Sequence, residues 1–157
     1  MLSIAEKLRK GEISLEDAIN SGKIPDNILH NFSCDCAERA LLRERNAGRE
    51  PDPRSWKAIR IKRRWIKGEI TDNIMYAANA KANMEVHYVA GAASGLNGCL
   101  SARTTARAAK FNMSDMVDWM AEQAWQEAHL VKLIEHFFEK RNLLFWQRET
   151  EDGLYTF

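Results

Sequence analysis

The chain has 157 residues, 45% hydrophobic and 29% charged, with 23 lysines and arginines against 22 acids and a formal net charge of +1. That length suits one domain with a core of its own, and the composition excludes a disordered chain. The near-neutral balance excludes a molecule drawn as a whole to nucleic acid, so any preference for a charged partner must come from local patches.

The first predicted helix covers Ser3 to Lys10. "GEISLEDAINSG" follows, with Ser14 as cap and Gly22 as stop for a short helix over Leu15 to Ser21. A third short helix is expected from Pro25 or Asp26 to just before Phe32. "SCDCAERALLRERNAG" then reads as a helix capped by Ser33 or Asp35 and ended by Gly48. The prolines of "REPDPRS" set an extended entry to the next helix, Trp56 to Lys67, with Ser55 as its cap. "GEIT" at 68–71 repeats the junction "GEIS" at 11–14, the same turn chemistry used twice. Thr71 opens a long helix to about Ala93, "SGLNG" interrupts it, and Cys99 to Phe111 forms the next.

Ser114 caps the longest helix, Asp115 to about Arg141, which has acids in its first turn and Lys140 and Arg141 in its last, as the helix dipole favours. Val117, Met120, Ala124, Ala128, Val131 and Phe138 form one stripe on it, and Trp119, Leu130, Leu133, Ile134 and Phe137 widen that stripe. This helix is expected to be central or to bury two faces. No proline follows Pro53, and apolar residues recur at helical rather than alternating spacing. The expected fold is all-α, a single-domain multi-helix bundle. Its short N-terminal helices (1–32) pack on a bundle core (33–141), and a C-terminal tail (142–157) completes it.

"MLSIAEKLRKGE" has no apolar run long enough for a signal peptide. The longest uncharged stretch, Val86 to Ala102, is too short and too polar to span a bilayer. Three cysteines, an odd number, fit a reducing cytoplasm better than a disulfide framework.

The segment "SWKAIRIKRRWIKGEI" concentrates basic charge. On a helical wheel Lys57, Arg60, Arg64 and Lys67 share one arc, with Arg63 at its edge and Lys62 among apolar positions. Two readings stay open: a solvated face paired with acids of other helices, or a preorganised receptor for an anion. Arg103 and Arg107, neighbours at i and i+4 beyond the glycine-rich turn, are a second basic candidate. Trp119, Trp125, Phe145 and Trp146 are candidate partner-interface residues, and exposed Phe145, Trp146, Tyr155 and Phe157 make self-association a further expectation.

His30, Cys34 and Cys36 do not make a zinc site, because C-x-C on a helix turns its two thiols about 200° apart. His129 and His136 stand two turns apart, and His87 lacks a paired histidine. No nucleophile, acid/base pair, P-loop or dinucleotide fingerprint is present. No enzymatic activity, metal or cofactor is expected, and duplex nucleic acid is disfavoured for want of a broad basic footprint.

"CDCAERAL", then "PDPRSWKAIRIKRRWIKGEIT", then an alanine-rich stretch and "EQAWQEAHLVKLIE" form a recognisable series. It resembles the immunity-protein domain family found in bacterial polymorphic-toxin loci and bacteriophages. The best matches are Cys36 to Arg39, Arg54 with Lys57 to Ile59, Trp65 with Gly68 to Ile70, and Trp125 with Gln126. The likeness spans 34 to about 135, and the central stretch is less alanine-rich than the family. The resemblance implies an all-helical binding protein of genetic conflict, with no catalytic residues. Two targets are open: a protein toxin or defence effector neutralised stoichiometrically, or a small anionic nucleotide immune signal held by an oligomeric, sponge-like inhibitor of host antiviral signalling.

Overall fold

A computed structural model describes residues 1–85, 88–111 and 113–151, with the side chains of 81–85, 88 and 145–151 left out. Among the described residues the elements are all helical: α1 (Ile4–Arg9), α2 (Leu15–Asn20), α3 (Asp26–Asn46), α4 (Pro53–Ile66), α5 (Asp72–Glu85), α6 (Tyr88–Ala93), α7 (Gly98–Ala108) and α8 (Met116–Glu151). They form one domain, and the fold is all-α.

Local chemistry explains most helix ends. Ser3 closes a capping box with Glu6, and the Ser14 hydroxyl accepts from the Asp17 amide at 3.0 Å. Gly11 and Gly68, the first residues of the two repeated junctions, both adopt left-handed backbone, at φ 70° and 74°. A Cβ there would be strained, so glycine lets the chain leave α1 and α4 sharply.

Four boundaries differ clearly from the sequence expectation, the first being the end of α7, at Ala108 rather than Phe111. The segments on either side of Phe32 are one continuous helix, α3. Ser33 does not cap: its buried hydroxyl donates to the Leu29 carbonyl at 2.8 Å, satisfying itself within the helix. α4 begins at Pro53 rather than Trp56, because Asp52 accepts from the Arg54 amide at 2.8 Å and proline suits a first helical position. α8 runs on to Glu151, well past Arg141, and Asp115 rather than Ser114 supplies the side-chain oxygen, accepting from the Val117 amide at 2.7 Å.

α3 is the axis of the molecule and packs on α4, α6, α7 and α8. One face enters a core cluster with α1, α2, α7 and α8 that includes Phe32, Leu29, Ala102 and Leu130. The other face enters a second cluster with α4 and α6, including Leu41, Ile59, Val89 and Ala93. Fully buried Phe32 and Leu41 each contribute about 1.5–3 kcal/mol of apolar burial. Small residues on α6 and α7 let those helices sit close to α3.

Polar seams tie the helices as well. Glu122, 2% exposed, accepts from Arg39 Nε at 2.9 Å, Arg43 Nη1 at 3.1 Å and Gln126 Nε2 at 3.1 Å. Arg43 also donates to the Ala109 carbonyl at 2.6 Å, and Gln126 to the Ala106 carbonyl at 3.1 Å, so α3, α7 and α8 meet at one point. A second seam joins α3, α4 and α8: Arg63 binds Asp35 at 2.6 Å and Glu38 at 3.0 Å, and His129 Nε2 lies 2.7 Å from Asp35.

Candidate functional site

The basic arc of α4 is not one surface with one environment. Lys57, Arg60 and Lys67 are exposed and have no ion-pair partner among the described residues. Arg64 pairs with Glu69 at 3.1 Å just beyond the helix end, and Arg63 is committed to Asp35 and Glu38. Lys62 is fully buried. Its ammonium donates to the Gly95 carbonyl and sits 4.3 Å from the centroid of the Trp65 ring. Burial lowers the Lys62 amine to about 8, and burial together with nearby Lys62 lowers His30 to about 4. Neither the cleft described next nor the grooves along α8 have Lys57, Arg60, Arg64 or Lys67 in their walls.

Arg103 and Arg107 lie elsewhere, at the largest of those cavities. It is a cleft of about 680 Å³ between α2, α7 and the start of α8. Asn97 caps α7 by accepting from the Leu100 amide at 2.8 Å, which fixes the register that turns Arg103, Arg107 and Lys110 toward the cleft. Arg103 and Arg107, four residues apart, share one face of α7, and Lys110 follows in the turn just beyond its end.

Each cation is held, but incompletely. Arg103 donates to Asn20 at 3.3 Å, while its buried Nε–H has no hydrogen-bond partner among the described residues. Arg107 pairs with Glu16 across the cleft mouth, an exposed pair in which the guanidinium holds the carboxyl below its ordinary value. Lys110 donates to Gln123 and sits 4.8 Å from the centroid of the Trp119 ring, and partial burial lowers its amine. Trp119 is 39% exposed and Phe111 is 79% exposed, so the cleft has an apolar, aromatic side facing the cationic one. Three cations about one concavity with an indole beside them can hold an anion that also carries an apolar or flat part.

The sequence reading of this cleft included Arg103, Arg107 and Trp119 but did not join them. It missed Lys110, although the i, i+4, i+7 spacing of Arg103, Arg107 and Lys110 was visible. Glu16 and Gln123 gave no signal, because only the packing of α2 and α8 against α7 brings them there.

Trp125 occupies a different environment. Its ring stacks on His129 at 4.6 Å between centroids, and Arg39 covers it at 4.4 Å. The side chains of Phe145 and Trp146, like His87, Tyr155 and Phe157, lie outside those described. Cys34 and Cys36 are buried within α3. Burial pushes the Cys34 thiol up to about 12 and the Cys36 thiol well above its ordinary value, which leaves both unreactive. Among the described residues no group of three histidine, cysteine or acidic side chains is placed to hold a metal ion, and no helix is long and apolar enough to cross a membrane.

Comparison with protein-family models, with curated proteins and with solved structures gave no match for this chain.

Proposed function

We propose that this protein is a non-enzymatic binding protein that retains a small anionic ligand of the nucleotide class in the cleft between α2, α7 and α8. The observation that supports this most is the convergence of Arg103, Arg107 and Lys110 on a single concavity of about 680 Å³ with Trp119 in its wall. Its size falls within the about 300–1,000 Å³ usual for small-molecule sites. Phosphate oxygens accept from the Arg103 Nε–H that has no partner among the described residues and displace Glu16 from Arg107, while the base lies along Trp119 and Phe111.

The test is retention and release. Purified full-length chain is incubated with cyclic and linear nucleotides, filtered, and heated to free what it held. Unchanged nucleotide is expected to return, with retention lost in Arg103→Ala and in Arg107→Ala and kept in Arg60→Ala. Retention that survives both cleft substitutions removes the cleft reading, and a cleaved product makes the protein an enzyme.

A second reading has its own observation. Phe111 and Met116, 79% and 69% exposed, border the cleft region, and exposed apolar groups beside cations suit an acidic protein surface. On that reading the chain neutralises a toxin or defence effector stoichiometrically. Absence of any retained nucleotide, with a co-purifying protein lost in Phe111→Ser, favours it.

A further inference from the structure

The first half of α8 carries an apolar stripe that no described residue covers. Val117 and Met120 are 73% and 60% exposed, and Ala121, Ala124 and Ala128 are exposed with them. At their spacings of three, four and seven residues they occupy one helix face. That face is not the one that enters the core, which carries Glu122, Gln126, Leu130 and Ile134. Nor does Val117, Met120 or Ala124 line the nucleotide cleft.

The stripe is uneven in a specific way. Its N-terminal end has large side chains standing out, Val117 and Met120. Its C-terminal end is a groove of about 360 Å³ between α1 and α8, floored by Ala124 and Ala128 and walled by Leu8, Arg9, Val131 and Lys132. Ridge and groove thus lie about 12 Å apart along one helix, from the rise of about 1.5 Å per residue.

The geometry points to a second copy of this chain as the occupant, its α8 antiparallel to the first across a two-fold axis at Ala124. Met120 and Ala128 are each four residues from that axis, so Met120 of each copy enters the groove over Ala128 of the other. Val117, seven residues before the axis, comes over the groove wall at Val131 of the other copy, a residue that is itself buried in its own core. Alanine at the axis lets the two helices close to the short end of the usual ~8–10 Å separation. The charges agree with this register. Asp118 and Lys132 lie on the same flank of the stripe, six residues before and eight after the axis, so each comes opposite the other's counterpart. A patch that carries both ridge and groove, and both an acid and a base, is what an isologous interface requires, because every contact is made twice. The pairing leaves the cleft at α2 and α7 open, and it stands whether or not that cleft holds a nucleotide.

Sedimentation equilibrium of the full-length chain reads the outcome. Wild type is expected at the mass of two chains and Met120→Glu at the mass of one, with unchanged helical circular dichroism, since Met120 is already exposed. Asp118→Lys is expected to weaken association by roughly tenfold, and Asp118→Lys with Lys132→Asp to recover most of that loss. Ala124→Cys, next to its own symmetry mate, is expected to form an interchain disulfide under mild oxidation where wild type does not. A wild-type mass of one chain overturns the proposal. So does a dimer that persists in Met120→Glu, which places the contact elsewhere, or a dimeric Ala124→Cys that fails to cross-link.

Discussion

α4 and α7 make different use of positive charge. α4 carries six basic residues between Lys57 and Lys67, and α7 with the turn after it carries three, Arg103, Arg107 and Lys110. Yet these cations are dispersed: two go into the protein, one pairs at the helix end, and three stand exposed to solvent. α7 has fewer, but they face a concavity that α2 and α8 close on two sides. Charge density along a sequence therefore says little about a site. What matters is whether neighbouring elements build a hollow that dehydrates the charges and leaves their donors unfilled.

The comparison breaks most severely at Glu122, whose carboxylate holds the back of α7 in place through Arg43 and Gln126. Glu122→Ala removes the acceptor of two guanidinium groups and of the Gln126 amide, and because both arginines are more than a third exposed the expected loss is about 2–3 kcal/mol in urea unfolding. Arg63→Met tests the α4 side. It removes the tie to Asp35 and Glu38, and the expected loss is about 2 kcal/mol, because the seam is only partly shielded from water.

The same variant carries a pH signature. Burial alone would raise Asp35, but hydrogen bonds from His129 and Arg63 outweigh it and hold the carboxyl below its ordinary 3.8. That stabilisation is present above pH 3.8 and lost as pH falls through the lowered value, so Arg63→Met is expected to flatten the acid limb of the stability profile.

Lys62 sharpens the contrast from the other direction. Its folded value of about 8 lies below the ordinary 10.5, so the unfolded chain holds the proton more tightly between them. Stability is expected to rise as pH climbs from 8 toward 10.5. Lys62→Met should remove that rise and raise the melting temperature at pH 7. The smallest effect belongs to the solvated cations. Arg60→Ala is expected to change stability by no more than about 0.5 kcal/mol, measured by the same unfolding curve.

Much of the architecture was legible because it is written in short-range chemistry. Ser3, Ser14, Gly11 and Gly68 mark helix ends wherever they stand, since caps and left-handed turns involve only neighbours in sequence. Ser33 misled because the same hydroxyl can cap a helix or bond back four residues within one, and burial beside Phe32 selected the second. The stripe of Val117, Met120, Ala124 and Ala128 read in the sequence as a core face, and nothing in the sequence marked Glu122 and Gln126 for burial. The chain buries the polar pair and exposes the apolar residues, because the arginines of α3 and the carbonyls at the end of α7 satisfy the pair.

The amino-acid order by itself thus determined an all-helical chain, most of its helix ends, and the presence of two basic segments, because these depend on backbone geometry and periodicity. Only the tertiary structure decided which basic segment borders a cleft and which face of α8 lies outward. Both depend on groups far apart in sequence, such as Glu16 with Arg107 and Glu122 with Arg43, whose meeting is a property of packed helices rather than of any single one.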